Sequence, residues 1–256
     1  MGTPDQAAGG PSGILRHEPI FGVGPHTTWQ GGWGLETEVE TAGDEDVLAV
    51  ELLYGITEEL TVTAVLPFNS PVDGGSLGSV GLRAKWRFAT NFGRGRSDAV
   101  ALLGGVTFPR TSVADLSRGG PEVMLGMAAG RESRRWYYFA GLRGIARLSR
   151  SGTDPGDRVA ANLAWGVRPW RTGYRAPDLV LLVEANGRYE GRTRRSGQGP
   201  TGAVGGGRYL SLAPAFLFSV RNVMLKGGVD VPVWERLNTP GASKDVKIVA
   251  AVEVHW

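Results

Sequence analysis

The sequence predicts an all-β protein, a transmembrane antiparallel up-and-down β-barrel of about twelve strands. Three observations carry that reading. Apolar and polar residues alternate with a period of two in segment after segment from Trp33 to Trp256. Aromatic residues gather at one end of these segments, on their apolar face. Finally, 40 glycines are interleaved with strong β-formers, and no apolar window approaches the roughly 18 residues of a membrane-crossing helix. A chain of 256 residues suits one barrel domain.

Residues Met1 to Gly32 are rich in Gly and Pro without a sustained period, and read as an irregular N-terminal arm with partial packing in the lumen expected. Residues 33–256 form the expected barrel. In the first strand Trp33, Leu35, Thr37, Val39 and Thr41 alternate with Gly34, Glu36, Glu38 and Glu40, which places the carboxylates on one face. The second runs from Asp46 to Ile56 and turns at Thr57-Glu58-Glu59 into a third, Leu60 to Phe68. The fourth sets Val80, Leu82, Ala84, Trp86 and Phe88 against Gly81, Arg83, Lys85 and Arg87. The same pattern predicts strands at Ala99–Phe108, Glu122–Gly130, Trp136–Leu148, Arg158–Arg168, Leu179–Glu190, Tyr209–Phe218, Val223–Val233 and Lys244–Trp256. The count is even, as bacterial barrels require.

Composition narrows the function. The absence of cysteine excludes disulfide frameworks and thiolate metal sites, and is compatible with an oxidising compartment. A net charge of +3 with scattered Lys and Arg gives no nucleic-acid footprint; only Arg192 to Arg195 is locally dense. The start, Met1-Gly2-Thr3-Pro4-Asp5, has neither a basic nor an apolar export region. The chain therefore reads as the mature or recombinant form of an exported protein, expected in the outer membrane of a Gram-negative bacterium.

Alternation alone does not distinguish a membrane barrel from a soluble one. The aromatics do. With an even count both termini share one side, where the apolar face carries Trp33, Tyr54, Trp86, Phe88, Trp136, Tyr138, Trp165, Phe216, Phe218 and Trp256, an interfacial girdle. Mid-strand positions on that face hold Ala64, Ala84, Ala140, Gly144, Ala161 and Ala250, where a soluble core would want bulk. Membrane lipid is thus the expected partner of this face. Thr57–Glu59, Arg131–Arg135 and Ser219–Asn222 read as tight turns on the termini side, and Gly191–Gly207 as an outer loop. Ala89–Asp98 and Pro169–Asp178 should also be short turns but read as long ones.

Leu53-Tyr54-Gly55-Ile56-Thr57-Glu58-Glu59-Leu60 leading to Leu66-Pro67-Phe68, the strand Gly81-Leu82-Arg83-Ala84-Lys85-Trp86-Arg87-Phe88, and Gly227-Gly228-Val229-Asp230-Val231-Pro232-Val233 carry a resemblance. Together they look like the outer-membrane proteins named after the meta-cleavage pathway of phenol degradation. The resemblance would cover Trp33 to Trp256. It implies a transporter for hydrophobic or aromatic compounds, or an accessory envelope role, and carries over no binding residue. Separately, Val246, Ile248, Ala250, Val252 and Val254 lead at every second position to a terminal Trp256. This pattern is similar to the signal read by barrel-assembly machinery, with an ordinary edge strand as the alternative.

If the apolar face meets lipid, the other lines the lumen. Glu36, Glu38, Glu40 and Glu51 gather on the first two strands, and closure brings Lys247 and Glu253 beside them. Arg83, Lys85 and Arg87 stand across or beside that acidic ladder, with Arg143, Arg147, Arg158 and Arg168 further round and Glu184 and Arg188 on the ninth strand. Two readings compete. Opposed charge ladders give a transverse field that filters solutes; alternatively the charges pair and fill a partly occluded lumen, which is favoured for most individual residues.

No enzyme is expected. His17, His26 and His255 match no metal spacing, Ser211 and Ser219 sit in no G-x-S-x-G elbow, and Gly22-Val23-Gly24 and Gly205-Gly206-Gly207 lack the strand-to-helix context of a phosphate loop. No cofactor or metal is implied. The expectation is a channel for passive passage of small solutes. The alternative is a structural barrel plugged by Met1–Gly32 or another chain, with a partner protein at the lumen or at loops such as Gly191–Gly207.

Overall fold

The computed structural model describes residues 17–43, 45–69, 76–109, 120–149, 153–170, 177–195, 205–239 and 241–256. Twelve long antiparallel strands form a closed barrel. They are β1 (Trp33–Ala42), β2 (Glu45–Gly55), β3 (Leu60–Asn69), β4 (Val80–Gly93), β5 (Arg96–Phe108), β6 (Glu122–Ser133), β7 (Trp136–Arg147), β8 (Arg158–Val167), β9 (Asp178–Glu190), β10 (Gly207–Val220), β11 (Val223–Leu237) and β12 (Lys247–His255). Each pairs with its neighbours in sequence, and β1 pairs with β12, so no edge is left open. Ser76–Leu77 adds a short piece to β3, and Thr153–Asp154 pairs with Arg194–Arg195 in a small ribbon.

Register fixes the faces. Glu36 stands opposite Glu51 and Glu253, and Leu35 opposite Leu52 and Val254, so carboxylates share the inner face and apolar residues the outer one. The outer face is apolar and exposed around the circumference: Leu35, Leu82, Leu125, Leu163, Leu212 and Ile248 come from six different strands, with Leu125 70% exposed. Water-soluble monomers rarely leave so continuous an apolar surface uncovered, and such a surface marks a lipid or protein contact. The girdle residues stand on this face, with Trp33 against Tyr54 at 4.6 Å, Trp86 against Phe88 at 5.9 Å and Trp136 stacked on Trp165 at 5.6 Å between ring centroids.

All twelve expected strands form, but several run longer than their patterns. The register shifts between Arg87 and Ala89, a bulge at Phe88, so the alternation breaks while the hydrogen-bonded pairing continues to Gly93 and Arg96. The expected long connection Ala89–Asp98 is therefore the turn Arg94–Gly95, closed by Gly95 at φ 70°, a conformation open to glycine. Trp86 and Phe88 accordingly stand inside β4 and not at its end. Likewise β6 runs on to Ser133, which shortens the turn expected at Arg131–Arg135. Most of Pro169–Asp178 lies outside the described residues. The last strand begins at Lys247, not Lys244, because its partner positions on β1 and β11 end at Ala42 and Asp230.

A compact apolar core lies inside the barrel, at the end where β1 begins and β12 ends. Tyr137, Phe139, Val180, Leu182, Leu217 and Met224 project inward from β7, β9, β10 and β11 and pack together, and Ile20 of the arm packs against them. One side of the lumen is thus filled at that end, and the opposite side is left to charged residues.

Candidate functional site

The barrel interior is built from two parts, the inward strand faces and residues 17–32, which carry no strand and run inside the wall. From Trp33 backwards, Trp29 packs its ring 5.5 Å from that of His255. The Thr28 N–H then donates to Thr61 Oγ1 at 2.7 Å, and Thr27 Oγ1 donates to the Glu58 carbonyl at 2.8 Å. His26 reaches Glu132 at 3.1 Å. The Val23 N–H donates to Asn162 Oδ1 at 3.2 Å, and those of Phe21 and Ile20 to Glu184 at 3.1 and 2.6 Å. Glu18 accepts from Lys85 Nζ at 2.6 Å, and the His17 N–H donates to Glu132 at 3.1 Å. An irregular segment cut off from water must satisfy its backbone groups on neighbours, and here wall side chains accept from it.

Glycines make room for this segment. A Cβ at Gly55 would collide with the Trp29 carbonyl, and the backbones bond each other here, Gly31 N to Gly55 O at 2.8 Å and Gly55 N to Gly32 O at 3.0 Å. A Cβ at Gly141 would lie 2.5 Å from Val23 Cγ2, at Gly228 2.7 Å from Phe21 Cε2, and at Gly130 2.9 Å from Pro25 Cγ. The inward face is carved to the arm's path on four strands.

Every charged residue expected in the lumen stands on the inner face by register. Most pair, so the expected opposed walls become a lattice of contacts. Lys247 meets Glu40 at 2.6 Å, Arg83 meets Glu51 at 3.1 Å and Arg147 meets Glu122 at 3.1 Å. Arg158 and Arg188 share Glu190 at 3.8 and 3.9 Å. Arg87 donates to the Glu58 carbonyl at 2.6 Å, and Arg168 makes a two-pronged pair with Asp178. Glu184 is spent on the arm, where it is fully buried. Among the described residues Glu38 and Arg143 have no ion pair. The physical reason is adjacency: opposite charges stand on neighbouring or next-but-one strands of the same wall, within side-chain reach, and an unpaired charge away from bulk water is costly.

Sequence reasoning missed Lys226, which bridges Glu36 at 2.9 Å and Glu253 at 2.6 Å. The signal was a lone lysine between Met224 and Gly228 on the inward parity of an apolar strand. It also missed Glu18, Glu122, Glu132, Asn162 and Glu190 as partners. His255 bonds Glu253 through Nε2. Ser211 is fully buried, with its hydroxyl 3.5 Å from the Asn186 carbonyl. Among the described residues no cluster of His, Asp and Glu fits a metal ion. Beside the arm a cavity of about 470 Å³ remains, lined by charged residues that include Glu36, Glu38, Arg83, Arg143 and Lys247 and by Ile20, Phe21 and Trp29 of the arm.

No protein-family model matches the chain, and no curated protein matches it by sequence. Solved structures do share its fold. An outer membrane channel from Pseudomonas putida F1 superposes with a TM-score of 0.70 at 12% identity, covering 94% of this chain and 100% of that one. The NanC porin superposes with a TM-score of 0.52 at 6% identity, covering 87% and 98%. These likenesses and the apolar outer belt fit a barrel of the bacterial outer membrane, the coarser part of the family resemblance. The chain is a closed twelve-stranded β-barrel with the fold of outer-membrane channels and porins.

Proposed function

We propose that the chain is an outer-membrane channel through which small solutes diffuse along the passage between the N-terminal arm and the charged wall. The observation that carries this reading is the cavity of about 470 Å³ left beside the arm, with Glu38 and Arg143 in its lining and without ion pairs. A lumen of twelve strands is wider than one filled by its own side chains and narrower than an open porin, which suits selective passage. The likeness to the phenol meta-pathway proteins supports hydrophobic or aromatic solutes. Such a solute with a polar substituent suits both surfaces, an apolar strip of Ile20, Phe21 and Trp29 and a charged ladder opposite. Export would deliver the chain to barrel-assembly machinery, with Val246 to Trp256 as the recognised strand. No catalytic role is proposed for any residue.

Single-channel recording in planar bilayers tests this. Reproducible small conductance that shifts on Glu38→Ala or Arg83→Ala is expected. Silence of the unmodified protein and of both variants sinks the channel reading. It would favour the second one, a structural or partner-binding barrel, which draws its support from the fit of the arm to Glu184, Asn162 and Glu132. A partner protein would then engage the outer loops, Gly191–Gly207 among them.

A further inference from the structure

The far end of the barrel, opposite the start of β1 and the end of β12, carries arginines that the interior does not use. Tyr189 of β9, Arg208 of β10 and Arg236 of β11 stand side by side in register on the outer face. Arg192 and Arg194 follow in the loop above, and with Gly207 and Asn238 these residues line a surface hollow of about 430 Å³. The loop from Gly191 to Gly207 contains no acidic residue. Among the described residues none of the four guanidinium groups has an ion pair. Arg192 donates to Asn238 Oδ1 at 3.4 Å, and Arg208 lies over the Tyr189 ring at 5.8 Å. Asp154, opposite Arg194 in the small ribbon, is instead 3.4 Å from the Ser149 hydroxyl.

Four cations around one hollow repel one another, and a multivalent anion relieves that repulsion through two-pronged guanidinium contacts. What lies beneath them selects the anion. One pleat towards the membrane the outer face reads Ala161, Gly187, Leu210 and Trp234 across β8 to β11, and the next row reads Leu163, Ala185, Leu212 and Val231. Ala161, Gly187 and Ala185 form a shallow track between exposed Leu163, 63% accessible, and the Leu210–Leu212 ridge. An anion site above an apolar track on the lipid-facing side is the surface an amphiphile fits, since basic pockets at the membrane boundary hold anionic headgroups. A free anion would use only the upper half.

We propose that this hollow binds the phosphorylated headgroup of an outer-leaflet glycolipid, with an acyl chain lying along Gly187 and Ala185. The inference rests on the outer face meeting lipid and is independent of whether the lumen conducts.

The test uses the full chain, stripped of lipid in detergent, with native mass spectrometry and thermal unfolding as readouts. Diphosphorylated lipid A should bind and raise the unfolding temperature. The same lipid after dephosphorylation should bind on the order of tenfold more weakly, and so should lipid A to the Arg208→Gln/Arg236→Gln variant. The Arg208→Lys/Arg236→Lys variant, which keeps the charge and loses the planar fork, should fall between. Heat-modifiable migration reports that each variant is folded. Equal binding of the dephosphorylated lipid, or undiminished binding by the glutamine variant, overturns the proposal. So does inorganic phosphate that produces the full temperature shift alone, which would make this a free-anion site.

Discussion

The Glu184 carboxylate accepts the Ile20 backbone N–H at 2.6 Å from a position where no solvent reaches it. A wall strand thereby supplies the acceptor that an irregular segment lacks, and the same carboxylate takes the Phe21 N–H. Glu184→Ala leaves two enclosed donors without partners, at a cost of about 1–3 kcal/mol each. Limited proteolysis should then cut within residues 17–32 much faster than in the unmodified protein, and bilayer conductance should rise. Unchanged protection of the arm would contradict the assigned role.

Gly55 offers a steric test of the same docking. Gly55→Val drives a side chain into the Trp29 carbonyl and breaks the two backbone bonds with Gly31 and Gly32. Overpacking of this kind costs about 1–3 kcal/mol. Trp29 emission should shift to the red while heat-modifiable migration persists. Gly144→Ala, on the outer face with nothing near its Cβ, should leave both unchanged.

Lys226 holds Glu36 and Glu253 together, so Lys226→Met strands two carboxylates inside the barrel. Removing one member of an enclosed charge network costs about 3–5 kcal/mol, whereas replacing all members with neutral groups costs far less. Urea unfolding in detergent should show a large loss for Lys226→Met and recovery of most of it on adding Glu36→Gln and Glu253→Gln. A triple variant no more stable than the single one would refute the network.

Acid should loosen the arm. Burial pushes the His17 imidazole below its ordinary 6.5, outweighing attraction by Glu132 and Asp178, with Arg168 and His26 adding to the downward push. The docked ring is therefore neutral. Its contribution to docking is complete above 6.5 and lost as pH falls through the lowered value, because the released imidazole takes up a proton first. Protease sensitivity of residues 17–32 should rise as pH falls below 6.5, and His17→Asn should flatten that part of the profile. An identical profile in the variant would assign the acid response elsewhere.

Strand patterning was legible because one face had to be apolar and the other polar: Val80 to Arg87 reads correctly residue by residue. It failed where pairing outlasts alternation, at the Phe88 bulge, since a bulge changes which parity faces inward without ending the ladder. The inner charges were legible as a set, and closure placed Lys247 beside the acidic ladder that holds Glu40, but Arg83 with Glu51 and Lys226 with Glu36 were not legible because these partners stand two strands apart. The path of the arm left no period to read. Its trace in the sequence is indirect, in glycines such as Gly141 and Gly228 at inward positions where a barrel wall has no need of them.

Residues 17 and 32 both stand at the mouth where β1 begins and β12 ends, His17 beside Glu132 and Asp178 and Gly32 beside Gly55. The arm therefore enters as a doubled-back loop, like a cork pushed in by its middle. Its contacts with the wall are made by side chains and by the backbones of Gly31 and Gly32, apart from the seams between staves. Freeing the arm would break none of the ladder bonds between the strands.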